Sequence, residues 1–488
     1  MSVRNAALWS MTSQYVAFIA QFVSSVLIAR FFLSPEEVGL FSIALSAAML
    51  VSALQDFGIT RYIAGEPNLS DAQIRGAFSV SVLFALAVGL AILALAWPAS
   101  RFYDDPRLLP VLVVVAGSYL LVPFAIVPSA LLQRELDFKS IFIVTVGSAF
   151  AQAGTALLLA ALGFSALSLA WATVAQQGAR ALLGQWRSGR RPPFPLSLAG
   201  AKPILRFGSG ASVLYMSGAI GTRTPELIIG RMLNIAAVGI YGRAVGLAGQ
   251  LRQLVSGAIS SVFYPAFARI RDSGEALAPP YLRVVAGYSG TTWPAMAFLA
   301  AASTPVVLML FGERWAAVAP LLTWIAISEI IFTGLPLQMD MPILLGRMRR
   351  LLQLNILDTI ASIGLLVLAC FWSLEWAAAS RIGYAFAWFA IYAAFMRHLV
   401  DFRWRDMLGV YARSMAATLA TVAPLLLLYW SWKRPEDVGF LELAACALIG
   451  CLAWQLTIFL VRHPIRHEVM GMLGIVRQAV APRRFRRS

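Results

Sequence analysis

Thr222-Arg223-Thr224-Pro225-Glu226 lies inside an apolar run long enough to cross a bilayer. Arg223 and Glu226 are three residues apart and can pair on one helix face. Pro225 removes a backbone hydrogen bond and bends the helix beside them. The next apolar run carries Arg243, Gln250, Arg252 and Gln253. At about 100° per residue, Arg243, Gln250 and Gln253 share one broad face, and Arg252 points nearly opposite Arg243. Ionisable side chains at membrane depth are expensive, and they mark paths for ions or substrates. Here Arg223, Arg243 and Arg252 stand against one obvious acid, Glu226. An unmatched buried cation wants an anion, and a guanidinium holds phosphate oxygens bidentately. Arg223, Arg243, Arg252, Glu226 and Gln250 therefore form the expected substrate-binding set, a cationic cavity for cargo with an anionic head. Interhelical pairing and snorkelling are the bland alternative.

Other charges divide by depth. Arg30 and Arg231 close their spans and suit either a cavity rim or snorkelling to the interface. Asp56 and Arg61, near the inner end of the second run, suit a gate at the cytoplasmic mouth or a plain helix-end ion pair. Glu329, Asp340 and Asp358 could accept a coupling cation or pair with a neighbouring helix. Several sharper motifs fail. Asp104-Asp105 has the look of a membrane glycosyltransferase acid pair, yet Arg101 and Arg107 flank it on a tiny loop. His463 and His467 are four apart, but Pro464 and Arg466 spoil a metal face. No glycine-rich Lys-Ser/Thr loop is present, so no ATP hydrolysis is expected. Cys370, Cys446 and Cys451 fall in spans without metal or disulfide spacing. No catalytic residue, metal or cofactor is expected.

The elements that must hold these charges are membrane helices. The 488 residues are 60% hydrophobic and 13% charged, where a soluble chain carries roughly a quarter charged residues. Crossing hydrocarbon takes about 20 residues. Approximately fourteen runs qualify: 7–29, 38–55, 76–97, 109–132, 141–162, 164–184, 207–230, 237–263, 284–310, 318–344, 352–372, 376–396, 409–432 and 439–461. The first reads as an uncleaved span, since it is too long for a signal-peptide core and has no small-residue cleavage site behind it. The net charge of +16 would suggest nucleic acid in a soluble protein. Its distribution excludes that. With the N-terminus inside, about 28 Lys/Arg fall on cytoplasmic loops and tails and about 8 opposite, the positive-inside pattern. Arg187, Arg190, Arg191, Lys202 and Arg206 share one inside loop; Arg483, Arg484, Arg486 and Arg487 end the chain on the same side. Both termini are expected in the cytoplasm.

Short echoes suggest a duplication. Leu27-Ile28-Ala29-Arg30 with Val38-Gly39-Leu40-Phe41 matches Ile228-Ile229-Gly230-Arg231 with Val238-Gly239-Ile240-Tyr241. Phe102-Tyr103-Asp104-Asp105 with Pro110 matches Phe311-Gly312-Glu313-Arg314 with Pro320. Pro128 before Leu131-Leu132-Gln133-Arg134 matches Pro342 before Leu344-Leu345-Gly346-Arg347. Their common order and near-constant offset carry the weight. The expected fold is all-α: residues 1–184 form one six-helix lobe and 204–396 a second, joined by a basic Pro-rich cytoplasmic linker at 185–203. Six spans per lobe make the repeats parallel, with a binding cavity between them. Residues 397–461 add two helices, and 462–488 form a basic cytoplasmic tail with an interfacial helix over 465–480.

The chain resembles the polysaccharide transporters, including Wzx-type flippases, of the multidrug/oligosaccharidyl-lipid/polysaccharide exporter superfamily. The resemblance covers essentially the whole length. It rests on Ala29-Arg30-Phe31-Phe32 with Val38-Gly39-Leu40-Phe41, on Gln55-Asp56-Phe57-Gly58-Ile59, and on Leu132-Gln133-Arg134-Glu135-Leu136-Asp137-Phe138. It continues in Val238-Gly239-Ile240-Tyr241-Gly242-Arg243-Ala244 and Phe311-Gly312-Glu313-Arg314-Trp315. The last three look closest to the exopolysaccharide and colanic-acid-type branch. The resemblance implies a non-enzymatic flippase of the bacterial inner membrane. Its implied partner is an undecaprenyl-diphosphate-linked oligosaccharide, moved from the cytoplasmic to the periplasmic leaflet for exopolysaccharide or lipopolysaccharide synthesis. It also implies a twelve-helix, two-lobed bundle plus two helices, a monomer in contact with membrane lipid, polymerase and export machinery, and cationic residues in a central cavity. The alternatives are a multidrug-type small-molecule exporter, which would want buried acids in excess, and a polysaccharide polymerase, which needs a sizeable outer catalytic loop.

Overall fold

The computed structural model describes residues 3–52, 59–66, 68–199, 201–431, 433–466 and 470. Asp56 and most of the 462–488 tail, including its expected interfacial helix, lie outside the described residues, and of Arg61 only the backbone is described. Every regular element among the described residues is helical. Hydrocarbon dictates this, because each backbone N–H and C=O must find its partner inside its own segment. Among the described residues eight helices are long and apolar enough to cross a membrane, or nine counting one bent pair. The helices Ala166–Ser188, Ala201–Met232, Ile235–Ser273 and Leu374–Val400 fall outside that set, and the run expected at 318–344 divides into the helices Val318–Phe332 and Asp340–Leu344 with turns between them.

Two compact units divide inside a single long helix, between Gly242 and Arg243. The first comprises Met1–Gly242 with Leu310–Trp315. It begins with α1 (Val3–Phe31), α2 (Pro35–Ser52), α3 (Ile59–Gly65) and α4 (Asp71–Phe102). The short pair α5 (Leu108–Tyr119) and α6 (Val122–Arg134) precedes α7 (Phe138–Ala161), α8 (Ala166–Ser188) and α9 (Ala201–Met232). Then α10 (Ile235–Ser273) starts here and continues into the second unit. Within the first unit α7 packs on α1 and α8, α6 on α8, and α2 on α5 and α9.

Local chemistry sets the helix ends. Ser70 and Gln73 form a reciprocal capping box at the start of α4, satisfying donors that a helix start leaves open. Asp137 caps α7 by accepting from the Ser140 N–H at 3.1 Å. Gly189 ends α8 with φ +63°, a left-handed conformation that glycine adopts without penalty. Pro192 and Pro193 follow, so the basic linker cannot resume the helix.

The second unit comprises Arg243–Met309 and Ala316–Ser488. α11 (Ala278–Ala301) and α12 (Ser303–Phe311) form the bent pair, turning by 73°. α13 (Val318–Phe332), α14 (Asp340–Leu344), α15 (Met348–Cys370) and α16 (Leu374–Val400) follow. The last two helices are α17 (Trp404–Ser431) and α18 (Phe440–Leu460). α11 packs on α13 and α17, α16 on α13 and α15, and α17 on α18. An aromatic core ties α11 to the end of α16: Tyr281 and Phe402 stack at 5.8 Å, and Trp388 meets Tyr392 at 5.7 Å. Leu448, Leu452 and Leu456 on α18 are exposed, as an apolar face turned to lipid should be.

Candidate functional site

In the second unit two arginines converge on one acid. Glu329, on α13, has a side chain only 8% exposed. Arg252 of α10 reaches one carboxylate oxygen, Nε to Oε2 at 3.0 Å, and Arg381 of α16 reaches the other, Nη2 to Oε1 at 3.1 Å. Arg381 Nε also donates to Ser328 Oγ at 3.4 Å, and its guanidinium sits 5.5 Å from the Phe332 ring centre. The triad holds two positive charges and one negative. The Arg252 side chain is the more open, 48% exposed against 20% for Arg381. Glu329 offsets part of the burial penalty of both guanidinium groups. Arg381 is the residue that sequence reasoning missed. Its signal was present, a lone arginine inside the run at 376–396, but no neighbouring acid in sequence drew attention to it.

In the first unit Glu226 does not close an ion pair with Arg223. Ser46 Oγ of α2 donates to Glu226 Oε2 instead. Arg223 is half-buried and forms no ion pair among the described residues; its charge reaches both Glu226 and Tyr119 through space. Tyr119 in turn accepts from Ser52 Oγ at 3.0 Å. The half-buried Arg223 therefore lies near a carboxylate that is hydrogen-bonded to Ser46.

The remaining expected residues spread out. Arg243 and Gln250 are half-buried on α10. Arg231 ends α9 with its guanidinium 5.1 Å from the Phe102 ring, and Arg30 ends α1 5.9 Å from the Phe31 ring. Asp340 is exposed at the start of α14. Asp358 is buried on α15, and its Oδ1 has no hydrogen-bond partner among the described residues. The Asp104-Asp105 pair is structural: Arg107 grips Asp105 at 2.7 Å and also contacts Glu36. That grip holds the Asp105 carboxyl below its usual range. Among the described residues no group of three or more His, Cys, Asp or Glu is placed to hold a metal.

Two hydrogen bonds join distant segments within the first unit. Tyr103, just past α4, donates its hydroxyl to the Leu227 carbonyl of α9 at 3.0 Å. Trp315 donates its indole N–H to the Ala29 carbonyl of α1 at 2.9 Å.

Known proteins agree with this architecture. The chain is 26% identical to the succinoglycan biosynthesis transport protein ExoT of Rhizobium meliloti, over 97% of this chain and 96% of that one. It is 24% identical to the lipopolysaccharide biosynthesis protein WzxC of Escherichia coli, over 67% of each. The fold matches lipid II flippase MurJ in an inward closed conformation with a TM-score of 0.74 at 13% identity, over 93% of this chain and 99% of that one. A multidrug resistance MATE transporter of the MOP superfamily follows with a TM-score of 0.55 at 18% identity, over 80% and 95%. The family described as polysaccharide biosynthesis protein matches residues 11–320, well over half of the chain. This multi-pass membrane protein belongs to the polysaccharide biosynthesis protein family.

Proposed function

We propose that the protein is a flippase that moves a polyprenyl-diphosphate-linked oligosaccharide across the bacterial inner membrane, with both termini in the cytoplasm. The observation that carries the reading is the Arg252–Glu329–Arg381 triad, where two guanidinium groups gather on one carboxylate among helices of the membrane region. A diphosphate is the head group that such charge suits, because two phosphate oxygens match a guanidinium fork. In the first unit Arg223, Arg30 and Arg231 are further candidates for contact with the cargo, and in the second unit Arg243 and Gln250 are. Glu329 serves as counter-charge between its arginines. Asp358, buried with one oxygen unpartnered among the described residues, is the carboxylate best placed to bind a coupling proton or cation. A membrane potential supplies about 2.3 kcal/mol per charge per 100 mV to such a step. The same site excludes organic cations, which would need the opposite excess.

Alanine in place of Arg223, Arg243 or Arg252 tests the reading through glycan export in cells. Export should fall while insertion and expression hold, and lysine should restore it only in part, since a point charge lacks the bidentate fork. Normal export by all three alanine variants would make these arginines structural. Reporter fusions after Arg191 and Arg487 read the topology; both should score cytoplasmic, and a periplasmic score at either breaks it.

A further inference from the structure

The first unit carries a second basic feature that the transport path does not use. A cavity of about 310 Å³ opens between the start of α4, α6 and the end of α8 with the linker behind it. That is the lower end of the size range for small-ligand sites, about 300–1,000 Å³. Arg75, Arg190 and Arg191 face Asp71 there, a net charge of +2. Asp71 is spoken for only loosely, 3.8 Å from Arg190, with its own side chain 92% exposed. Arg75 Nε is buried and has no hydrogen-bond partner among the described residues. A buried charged donor left so is costly unless an acceptor arrives.

The far wall is apolar. Ile74, Phe78, Phe124, Val127 and Leu131 line it. The Pro-rich linker is folded back to complete the cavity: Phe194 meets the Phe78 ring edge-on at 5.5 Å, and the Ser197 N–H donates to Ser79 Oγ at 2.9 Å. On the other side Gln185 donates to the Phe124 carbonyl at 3.4 Å. The cavity is therefore a built feature, with arginines at the mouth and an aliphatic and aromatic floor behind them. A basic pocket between membrane helices on the cytoplasmic side suits an acidic lipid head group.

We infer that this cavity binds a phosphate ester, with the anionic head of a membrane phospholipid as its source and the apolar floor taking the first part of an acyl chain. Its cytoplasmic placement rests on the topology proposed above; the binding chemistry does not. Arg75, half-buried with its Nε shielded from solvent, is the anchor, and Arg190 and Arg191 are the outer clamps on a linker that the ligand would pin.

Native mass spectrometry on the purified full chain, with phosphatidylglycerol or phosphatidylcholine added, tests this directly. Wild type should retain phosphatidylglycerol at least about tenfold better. Arg75→Gln, and separately the exposed pair Arg190→Ala with Arg191→Ala, should remove that preference without lowering the melting temperature of the double variant. Inorganic phosphate is the competitor that separates the sources. Displacement of phosphatidylglycerol by millimolar phosphate assigns the site to free phosphate, and resistance assigns it to the lipid. Equal retention of the two lipids, or a preference that survives in the double variant, overturns the inference. Neither result bears on whether glycan crosses the membrane, so the two readings fail separately.

Discussion

Gly39 and Gly239, the matching glycines of the two echoed segments, press against each other backbone to backbone. A Cβ on Gly39 would lie 1.9 Å from the Ile235 carbonyl oxygen, and one on Gly239 would lie 1.9 Å from the Pro35 carbonyl oxygen. Each would also stand 3.0 Å from the other glycine's amide nitrogen. The equality of these distances is a local two-fold relation between α2 and the start of α10. It places small residues where two helices cross closely, the usual device of membrane helix packing.

Gly39→Ala or Gly239→Ala should therefore force the crossing apart. Backbone atoms cannot turn aside as a flexible side chain can, so the expected loss is about 1–3 kcal/mol. Glycan export should fall with it. Gly117→Ala and Gly154→Ala are the controls, since an added Cβ there meets nothing within 4 Å. Thermal unfolding in detergent, read beside glycan export, checks all four; equal melting temperatures would remove the crossing from the account.

The arginine triad separates stability from transport. Glu329→Gln leaves Arg381, 20% exposed, without its carboxylate, and should destabilise the protein by about 3 kcal/mol. Arg252→Ala breaks a pair that is half open to solvent, worth under about 1 kcal/mol. Its melting point should barely move while transport falls at least about tenfold. If stability and transport fell together in both variants, the triad would be a structural brace alone.

His463 gives the fold an acid limit. Its Nδ1 accepts from the Ile465 N–H at 3.3 Å, so the ring proton sits on Nε2, 2.9 Å from Ser414 Oγ. Ser414 in turn meets Ser289 Oγ at 2.8 Å. Burial, with Arg413 nearby, lowers its pKa from 6.5 to about 4. The neutral form is the folded form. Its contribution is therefore complete above pH 6.5 and is lost as pH falls toward 4, by at most about 3 kcal/mol. Melting temperature measured from pH 7.5 to 4 should drop over that window in wild type and flatten in His463→Gln. Identical slopes would show that other groups set the acid limit.

The sequence made the helical fold legible because it depends on a pattern that survives in one dimension. Apolar runs of membrane length must become helices. The echo Val38-Gly39-Leu40-Phe41 and Val238-Gly239-Ile240-Tyr241 pointed to two equivalent glycines, and they meet. Charge partners were much less legible. Arg223 and Glu226 are neighbours on one helix, yet Glu226 turns to Ser46, 180 positions away. Sequence position alone assigns Arg252 and Glu329 separate roles, cargo and ion, yet they share one ion pair. Arg381 joins them from 52 positions beyond Glu329. Helical periodicity says which face a charge occupies and nothing of which helix lies opposite.

Reconstitution measures transfer of intact cargo without the rest of the cell. The purified protein is placed in liposomes with a labelled polyprenyl-diphosphate sugar in one leaflet and no ATP. The account expects the label to reach the other leaflet chemically unchanged, at a rate reduced at least about tenfold in the Arg252→Ala protein. Elongated or cleaved glycan without leaflet transfer would contradict it and make the protein an enzyme.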